Sequence, residues 1–267
     1  MTDSKNKVVW ITGASSGIGK AMAFEWVAQG YKVVLSARRK ELLESIAQEI
    51  HQKGGEALVV PVDIMNEKSI EAAVASIIAQ WGRIDIAIAN AGFGVFGSIE
   101  QLSAADWSRQ LQGNVTGLAL TVKHALPYLK QTQGRIGLVG SVGAFLPNPH
   151  IGAYGASKAA VHSIGLTLQL ELMGTGVSCT VLHPGFVVSE IARIDNEGVW
   201  HPDRPDPRPS NLMWPTDKAA KVMVWAILKR KRNYVFTTHG RIIVGLQRWF
   251  PGLTRKILAK GPKPDTP

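Results

Sequence analysis

The sequence of 267 residues predicts an α/β fold built on a parallel, doubly wound sheet with helices on both faces. Three observations support this prediction. Short β-branched runs alternate with longer amphipathic segments through most of the chain, as in repeated strand–helix units. The first such run leads directly into a glycine-rich turn at residues 12–19 and then into a helix. Polar or glycine-containing turns follow later runs, and sheets of this kind bind ligands at the carboxyl ends of their strands.

Seven strands and six helices are predicted before residue 240. Apolar and β-branched runs place the strands at residues 7–11, 32–36, 56–62, 84–89, 135–139, 177–182 and about 234–237. Amphipathic spacing places the helices at residues 20–29, 40–53, 67–80, 104–129, 154–172 and 216–230. Asn66 is expected to cap the third helix, and Ser103 with Asp106 the fourth. We expect the strand order 3-2-1-4-5-6-7 of a Rossmann-type sheet.

Length and composition favour one large domain over residues 1–240, followed by a C-terminal extension over residues 241–267. Hydrophobic residues make up 45% of the chain, which is enough to bury a full core. No apolar run is long enough to span a bilayer, and the polar N-terminus does not resemble a secretory signal. The single cysteine, Cys179, cannot form an internal disulfide. These features predict a cytoplasmic protein.

The net charge of +10 is concentrated near the C-terminus. Of the 30 basic and 20 acidic residues, twelve basic and no acidic residues fall within residues 218–263, so the rest of the chain is close to neutral. No nucleic-acid-reading module accompanies the charge, and no nucleic-acid partner is predicted. An anionic membrane surface, an acidic partner and simple solvation of the tail remain as interpretations, and solvation is favoured.

The C-terminal extension has an amphipathic pattern. Its apolar residues recur at spacings of three and four: Ile242, Leu246, Trp249, Leu253 and Ile257. Its arginines recur every seven residues: Arg241, Arg248 and Arg255. The favoured interpretation is a helix packed on the parent domain or on a second subunit. The next is a peripheral helix in the plane of a membrane, with Trp249 and Phe250 at the interface.

The glycine-rich turn is the predicted cofactor site. Its small residues let the backbone approach a pyrophosphate, whose charge is met by the N-terminus of the following helix. After the second strand, sheets of this kind normally place an acidic residue that binds the ribose hydroxyl. This chain has Arg38 and Arg39 there, and guanidinium groups bind phosphate well. The sequence therefore predicts NADP(H) in preference to NAD(H), unless these arginines only solvate the start of the next helix.

Two later turns are expected at the same edge of the sheet. Asp63 follows the third strand and either reaches the adenine amino group or serves as a turn residue. Asn90, Ala91 and Gly92 follow the fourth strand, and their small size would let a cofactor pass close to the end of that strand.

A hydroxyl, a phenol and an ammonium occur in order within residues 141–158. Ser141 follows the fifth strand, whereas Tyr154 and Lys158 are four residues apart and lie on one face of a helix. An ammonium beside a phenol stabilises the phenolate and lowers the pKa of the tyrosine. Tyr154 would then act as an acid or base near neutral pH. The pair alone would fit an ordinary amphipathic helix equally well.

Together these motifs resemble the short-chain dehydrogenase/reductase superfamily, in its single-domain branch. The resemblance covers residues 7–190. It rests on Thr12-Gly-Ala-Ser-Ser-Gly-Ile-Gly19, Asn90-Ala-Gly92, Ser141, Tyr154-Gly-Ala-Ser-Lys158 and Pro184-Gly185, in order and at familiar spacings. Two positions depart from the usual pattern. Ser189 replaces the commoner Thr, and His183, to which no catalytic role is assigned, replaces the commoner Asn.

The resemblance implies a catalytic tetrad of Asn114, Ser141, Tyr154 and Lys158. Tyr154 would exchange a proton with the substrate oxygen, Ser141 would orient that oxygen, and Lys158 would hold the nicotinamide ribose. The helix backbone at Asn114 would position a water that links Lys158 to solvent. The residues and the resemblance together give these cofactor-binding residues: Gly13, Ser15, Ser16, Gly17, Ile18, Gly19, Arg38, Arg39, Asp63, Asn90, Ala91, Gly92, Tyr154, Lys158, Pro184, Gly185, Val187 and Ser189. No metal site is predicted.

The expected reaction interconverts a carbonyl and an alcohol on a small apolar molecule, with NADP(H) as cofactor. Apolar side chains flank the predicted site and are candidate pocket walls: Phe93, Phe96, Phe145, Leu146, Val187, Ile191, Trp200 and Trp214. Residues 186–215, which include a proline-rich stretch, are expected to form a substrate loop, as a mobile lid or a linker. A non-catalytic NADP(H) sensor or scaffold is the alternative. The resemblance also implies a homodimer or homotetramer through the helices that carry Asn114 and Tyr154.

Overall fold

The structure is a computed structural model that describes residues 6–259. Its strands are β1 (Val8–Thr12), β2 (Lys32–Ser36), β3 (Ala57–Val59), β4 (Ile86–Ala89), β5 (Arg135–Val139), β6 (Ser178–His183) and β7 (Asn233–Val235). They form one sheet in the order β3-β2-β1-β4-β5-β6-β7. Each neighbouring pair is parallel. The predicted fold class and strand order are confirmed.

The α-helices of the described residues connect these strands and follow the last one. They are α1 (Gly17–Ala28), α2 (Lys40–Gln52), α3 (Glu67–Trp81), α4 (Ala104–Leu111), α5 (Leu118–Thr132), α6 (Gly152–Glu171), α7 (Thr216–Leu228), α8 (Thr238–Trp249) and α9 (Pro251–Leu258). Several boundaries differ from prediction by one to three residues. Helix α1 begins at Gly17, so the glycine-rich turn supplies its first residues. Strand β3 is shorter than the predicted 56–62, although Val60 and Val62 still donate to the carbonyls of Leu35 and Ala37 beyond its end.

The sheet is buried on both faces. In β1, Val9 and Ile11 face one layer of helices while Val8 and Trp10 face the other, since side chains alternate along a strand. Helices α1, α2 and α7 cover the first face, and α3, α5 and α6 cover the second. Parallel strands covered on both sides are apolar nearly throughout, which explains why these runs are readable in the sequence.

The predicted helix over residues 104–129 is interrupted. It begins with the predicted capping box, in which Ser103 Oγ accepts from the Asp106 N–H and the Asp106 carboxylate accepts from the Ser103 N–H. However, α4 ends at Leu111, and a π-helical turn spans Gln112–Gly117 before α5 begins. The prediction of one continuous helix is therefore wrong. Turns of this type concentrate at functional sites, and this one contains Asn114.

The first of the two C-terminal helices, α8, begins at Thr238, before the predicted domain boundary at residue 240. The first turn of α8 packs closely on the body, because a Cβ added at Gly240 would lie 2.5 Å from Thr237 Oγ1 and 2.9 Å from Val142 Cγ1. Helix α9 begins at Pro251, so the predicted interruption separates two helices. Across residues 6–259, none of the helices combines the length and apolar character needed to cross a bilayer. The extension beyond residue 259 and the first five residues lie outside the described residues.

Candidate active site

A cleft at the carboxyl ends of the strands brings the predicted site residues together. Three of the four predicted catalytic residues, Ser141, Tyr154 and Lys158, line it, and the fourth, Asn114, is buried behind it. The predicted cofactor-binding residues all line the same cleft: Gly13, Ser15, Ser16, Gly17, Ile18, Gly19, Arg38, Arg39, Asp63, Asn90, Ala91, Gly92, Tyr154, Lys158, Pro184, Gly185, Val187 and Ser189. Parallel strands place their carboxyl ends on one edge, which explains the grouping.

The glycine-rich turn leaves the N-terminus of α1 open to an anion. Gly13 has a φ of +69°, and a Cβ added there would lie 2.7 Å from Ala91 Cα. Gly19 packs so tightly that its Cβ would lie 2.2 Å from the Gly13 carbonyl oxygen. Ser16 at the N-cap makes no side-chain capping bond, and the first turn of α1 holds no acidic residue. Its backbone N–H groups and helix dipole therefore favour a phosphate.

The neighbouring turns are held by local hydrogen bonds. Asn90 Nδ2 donates to the carbonyl oxygens of Thr12 and Gly13 at 2.9 and 3.2 Å, which fixes the ends of β1 and β4 together. Asp63 Oδ1 accepts from the Met65 N–H at 2.9 Å. Asp63 therefore stabilises its own turn, and because it also lines the cleft its contact with the adenine amino group stays a prediction.

The two arginines after β2 have different surroundings. Arg39 Nη2 donates to the Ser15 and Ser16 hydroxyls, both at 3.1 Å, and lies 3.2 Å from a carboxylate oxygen of Glu190. Arg38 is exposed at the rim of the cleft, and within residues 6–259 its guanidinium has no hydrogen bond or ion pair. Arg39 therefore bridges the glycine-rich turn and residue 190, whereas Arg38 is free to meet an anion.

Ser141, Tyr154 and Lys158 meet between β5 and α6. Ser141 follows β5 and its Oγ accepts from the Gly143 N–H at 3.0 Å. Tyr154 and Lys158 lie one turn apart on α6, as predicted from their spacing. The Ser141 hydroxyl is close enough to the Tyr154 phenol to lower the pKa of that phenol. Lys158 Nζ is buried, lies 5.8 Å from the Tyr154 ring centroid and donates to the Val139 carbonyl at 2.9 Å.

Burial dominates the electrostatics of this group. It raises the pKa of Tyr154, and the nearby Ser141 hydroxyl and the positive charge of Arg208 act in the opposite direction. Lys158, from which a lowering of the Tyr154 pKa is expected, donates its Nζ to Val139 and is not among these causes, so its effect on the phenol stays a prediction. Burial lowers the pKa of Lys158 to about 8, which leaves it mostly an ammonium at pH 7.

Asn114 belongs to a buried polar network that the sequence did not reveal in full. Its amide accepts from the Phe93 N–H at 3.0 Å and donates to the Phe93 carbonyl at 2.9 Å. Gln110 Nε2 donates to the same carbonyl at 3.1 Å. Ser157 Oγ accepts from Asn114 Nδ2 at 3.2 Å and donates to the Tyr154 carbonyl at 2.7 Å. The network thereby fixes the Tyr154 helix against the turn after β4.

Comparison with known proteins decides the family. The sequence profile of the short chain dehydrogenase family matches residues 7–199. The chain belongs to the short chain dehydrogenase family. A relative described as an uncharacterized oxidoreductase from Staphylococcus epidermidis is 37% identical over 188 residues, which span 70% of this chain and 80% of that protein. This protein is accordingly an oxidoreductase of that family.

Two solved structures extend the similarity to three dimensions. A short chain dehydrogenase/reductase from Burkholderia phymatum in complex with NAD is 26% identical, with a TM-score of 0.84 over 100% of this chain and 99% of that one. An alcohol dehydrogenase from Thermococcus sibiricus complexed with 5-hydroxy-NADP is 29% identical, with a TM-score of 0.73 over 85% of this chain and 92% of that one. A nicotinamide cofactor is therefore supported for this dehydrogenase.

Four of the eight predicted apolar wall residues line the dehydrogenase cleft. Those that line it are Phe93, Val187, Ile191 and Trp200. The Phe96 ring lies 5.8 Å from the Tyr154 ring and adds an aromatic contact beside the phenol. The remaining candidates do not line the cleft: Phe145, Leu146 and Trp214.

Two of these misassigned side chains belong to the packing beneath the cleft. Phe145 packs against His162 and His183, with ring centroids 4.9 and 4.7 Å apart. Trp214 lies 6.0 Å from Phe236. Sequence proximity to rim residues cannot distinguish a wall from the layer behind it.

The predicted substrate loop, residues 186–215, is held by bonds within itself, made by Arg208, and by bonds to the body, made by Asn196. Arg208 donates to the carbonyls of Val187 and Ser189 at 3.1 and 3.0 Å and pairs with Asp206 at 2.6 Å. Asn196 forms two hydrogen bonds with the backbone of Phe96, at 3.0 and 2.9 Å. Sequence reasoning missed these residues because their partners are set by the fold rather than by spacing.

His183 supports the serine of the dehydrogenase site from below. It is fully buried at the end of β6, with Nδ1 3.1 Å from the Ser141 carbonyl and Nε2 2.7 Å from Asn233 Oδ1. Burial lowers the pKa of His183 to about 4, and the nearby His162 and Lys158 act in the same direction. The histidine is therefore neutral at physiological pH and acts as a packing and positioning group.

This histidine should make stability pH-dependent. Between the ordinary pKa of 6.5 and the folded value of about 4, the unfolded chain binds more protons, so stability falls as the pH decreases. From pH 7 to pH 5 the free energy of unfolding should fall by about 2 kcal/mol because of His183. Urea unfolding at both pH values should show a smaller loss in His183→Asn. The exposed His51→Asn should behave as wild type; equal losses in wild type and His183→Asn would contradict the assignment.

Proposed function

We propose that this dehydrogenase uses NADP(H) to interconvert a carbonyl and an alcohol on an apolar substrate. The observation that carries the proposal is that Tyr154 and Ser141 both line the cleft that also holds the open N-terminus of α1. A phosphate-binding helix end and a proton-exchanging phenol in one cleft fit a redox reaction at a carbon bearing oxygen.

The residues fit a dinucleotide. The close approach of Gly13 and Gly19 to the neighbouring backbone and the uncapped start of α1 suit a pyrophosphate. Lys158, buried and still mostly protonated at pH 7, would hold the nicotinamide ribose. When bound, the nicotinamide supplies or accepts the hydride.

The protein's own contribution is proton transfer and orientation. In reduction, Tyr154 gives its phenolic proton to the carbonyl oxygen as that oxygen gains negative charge, and in oxidation it takes the proton from the alcohol. Ser141 holds the same oxygen by a hydrogen bond. The π-helical turn at Gln112–Gly117 would hold the water that returns a proton through Lys158. Asn114 would keep that turn in place through its two bonds to Phe93.

The preference for NADP(H) rests on Arg38. Its guanidinium is exposed at the cleft rim beside β2, where the 2′-phosphate of NADP would lie, and within the described residues it has no protein partner. The walls formed by Phe93, Ile191 and Trp200, with Phe96 beside the phenol, favour an apolar substrate.

The direct test is a substrate screen. NADPH oxidation, followed by the loss of nicotinamide absorbance, is measured with aldehydes, ketones, quinones and steroids, with NADH as the comparison cofactor. We expect the fastest turnover with an apolar carbonyl compound and NADPH. Tight NADPH binding without oxidation by any class would instead favour a sensor or scaffold.

A second prediction concerns the ion pair between Arg39 and Glu190, whose side chains are 39% and 35% exposed. Glu190 competes with a phosphate for this guanidinium, so Glu190→Gln should tighten NADPH binding. Partly exposed pairs contribute at most about 1 kcal/mol, which limits the gain to roughly five-fold. NADH binding should change less, because NADH has no 2′-phosphate.

Calorimetric titration of both cofactors tests this prediction. The exposed Glu197→Gln, which makes the same charge change on the substrate loop, is the matched control. An equal effect of Glu190→Gln on NADPH and NADH would show that the pair acts on loop position rather than on the phosphate.

A further inference from the structure

The two C-terminal helices expose large apolar side chains to solvent. Ile242, Trp249 and Phe250 are 66%, 72% and 60% exposed, and Leu253 and Ile257 are also exposed. Buried residues are few in these helices: Gly240 in α8 and Thr254 in α9. An apolar surface of this kind on a folded chain marks a contact with a partner or a membrane.

These apolar residues recur at helical spacings on two consecutive helices. Ile242 and Trp249 are seven residues apart, which places them on one side of α8. Leu253 and Ile257 are four residues apart and share a face of α9, while Phe250 lies at the junction of the helices. We call the surface formed by these five residues the C-terminal apolar face.

Basic side chains accompany this face. They are Arg241, Arg248, Arg255 and Lys256, all exposed. Among the described residues, none of the four forms an ion pair with a carboxylate. The sequence explains this, because residues 218–263 contain no Asp or Glu. The positive charge at the face is therefore not neutralised from within its own segment.

We propose that α8 and α9 dock in the plane of an anionic lipid bilayer, with the C-terminal apolar face inserted at the interface. Aromatic and aliphatic side chains bordered by Lys and Arg are the composition of an in-plane membrane helix. A second copy of this face would bring like charges together across a two-fold axis, which disfavours self-association there. A bilayer with anionic headgroups would bury the apolar side chains and attract the basic ones.

The docking surface is joined rigidly to the catalytic domain. His239 Nε2, in the first turn of α8, accepts from the Phe186 N–H at 2.9 Å, and the two rings stack at 5.3 Å. Phe186 follows Pro184 and Gly185, which line the cleft. Docking would therefore bring the base of the substrate loop close to the lipid surface. The proposal does not depend on the reaction proposed above.

The experiment is co-sedimentation of the full chain with phosphatidylcholine vesicles that contain or lack phosphatidylglycerol. We expect binding to the anionic vesicles, loss of that binding at high salt, and little binding to phosphatidylcholine alone. Arg248→Gln and Arg255→Gln should each weaken anionic-vesicle binding about five-fold. Trp249→Glu with Phe250→Glu should abolish it.

Controls separate the surface from the fold. Met173→Glu alters a side chain that is also 72% exposed but lies outside the two helices, and it should bind as wild type. Circular dichroism and NADPH affinity should be unchanged in the Trp249→Glu, Phe250→Glu variant. Wild-type failure to bind anionic vesicles, or equal binding by that variant, would overturn the proposal. The proposal would also be overturned if the wild type bound no vesicles and the variant showed a lower particle mass on light scattering. A second copy of the chain would then cover the face.

Discussion

Tyr154→Phe is expected to lower kcat for carbonyl reduction by roughly a hundred- to ten-thousand-fold. The substitution removes only the hydroxyl, which is the proposed proton donor and lies near the Ser141 hydroxyl. The ring, its contact with Phe96 and the position of Lys158 should remain. NADPH affinity should therefore stay within about two-fold of wild type, because the interactions assigned to the pyrophosphate and the ribose are untouched.

Steady-state rates and fluorescence titration of NADPH measure the two quantities separately. Tyr128→Phe on α5 makes the same chemical change outside the cleft and should retain wild-type turnover. Turnover by Tyr154→Phe within ten-fold of wild type would remove the phenol from its proposed role.

Arg38→Ala is expected to weaken NADPH binding by roughly ten- to a hundred-fold and to leave NADH binding within about two-fold. Hydrogen bonds to charged groups contribute about 1.5–3 kcal/mol, and each 1.4 kcal/mol is ten-fold in affinity. Arg38 has the larger expected effect because Arg39 is already engaged with Ser15, Ser16 and Glu190.

Lys40→Ala is the matched control for Arg38→Ala. It removes one positive charge two residues away, at the first position of α2, where Lys40 pairs with Glu44 and does not line the cleft. It should change the dissociation constants of both cofactors little. A parallel loss of NADPH and NADH affinity in Arg38→Ala would contradict recognition of the 2′-phosphate.

The features readable from the sequence depend on backbone chemistry and periodicity. Gly13 and Gly19 are required where two backbone segments nearly touch. Buried parallel strands are continuous apolar runs, so their ends, and hence the positions of Asn90 and Ser141, follow directly. The capping box at Ser103 is also readable from the sequence, because its partner Asp106 is three residues away. Once the strands are parallel, their carboxyl ends must share an edge, and the location of the cleft follows.

The features that escaped prediction are contacts between segments far apart in the chain. The pair formed by Arg39 and Glu190 joins residues 151 positions apart, and no spacing rule reports it. The π-helical turn around Asn114 depends on bonds to Phe93 from another element. Phe145 is an aromatic residue of the kind that lines pockets, yet in the fold it packs against His162 and the buried His183. Side-chain direction beyond regular elements is set by tertiary packing.

The most direct measurement of the proposed reaction uses NADPH that carries deuterium at the nicotinamide C4. The two C4 isomers, each deuterated at one of the two positions, are used separately. The protein is incubated with this cofactor and the best carbonyl substrate of the screen, and the alcohol is analysed by mass spectrometry and NMR. The proposed function predicts one deuterium on the carbinol carbon of each alcohol formed with one of the two C4 isomers, and none with the other. Alcohol formed without deuterium from either C4 isomer, or NADPH consumed without alcohol, would contradict it.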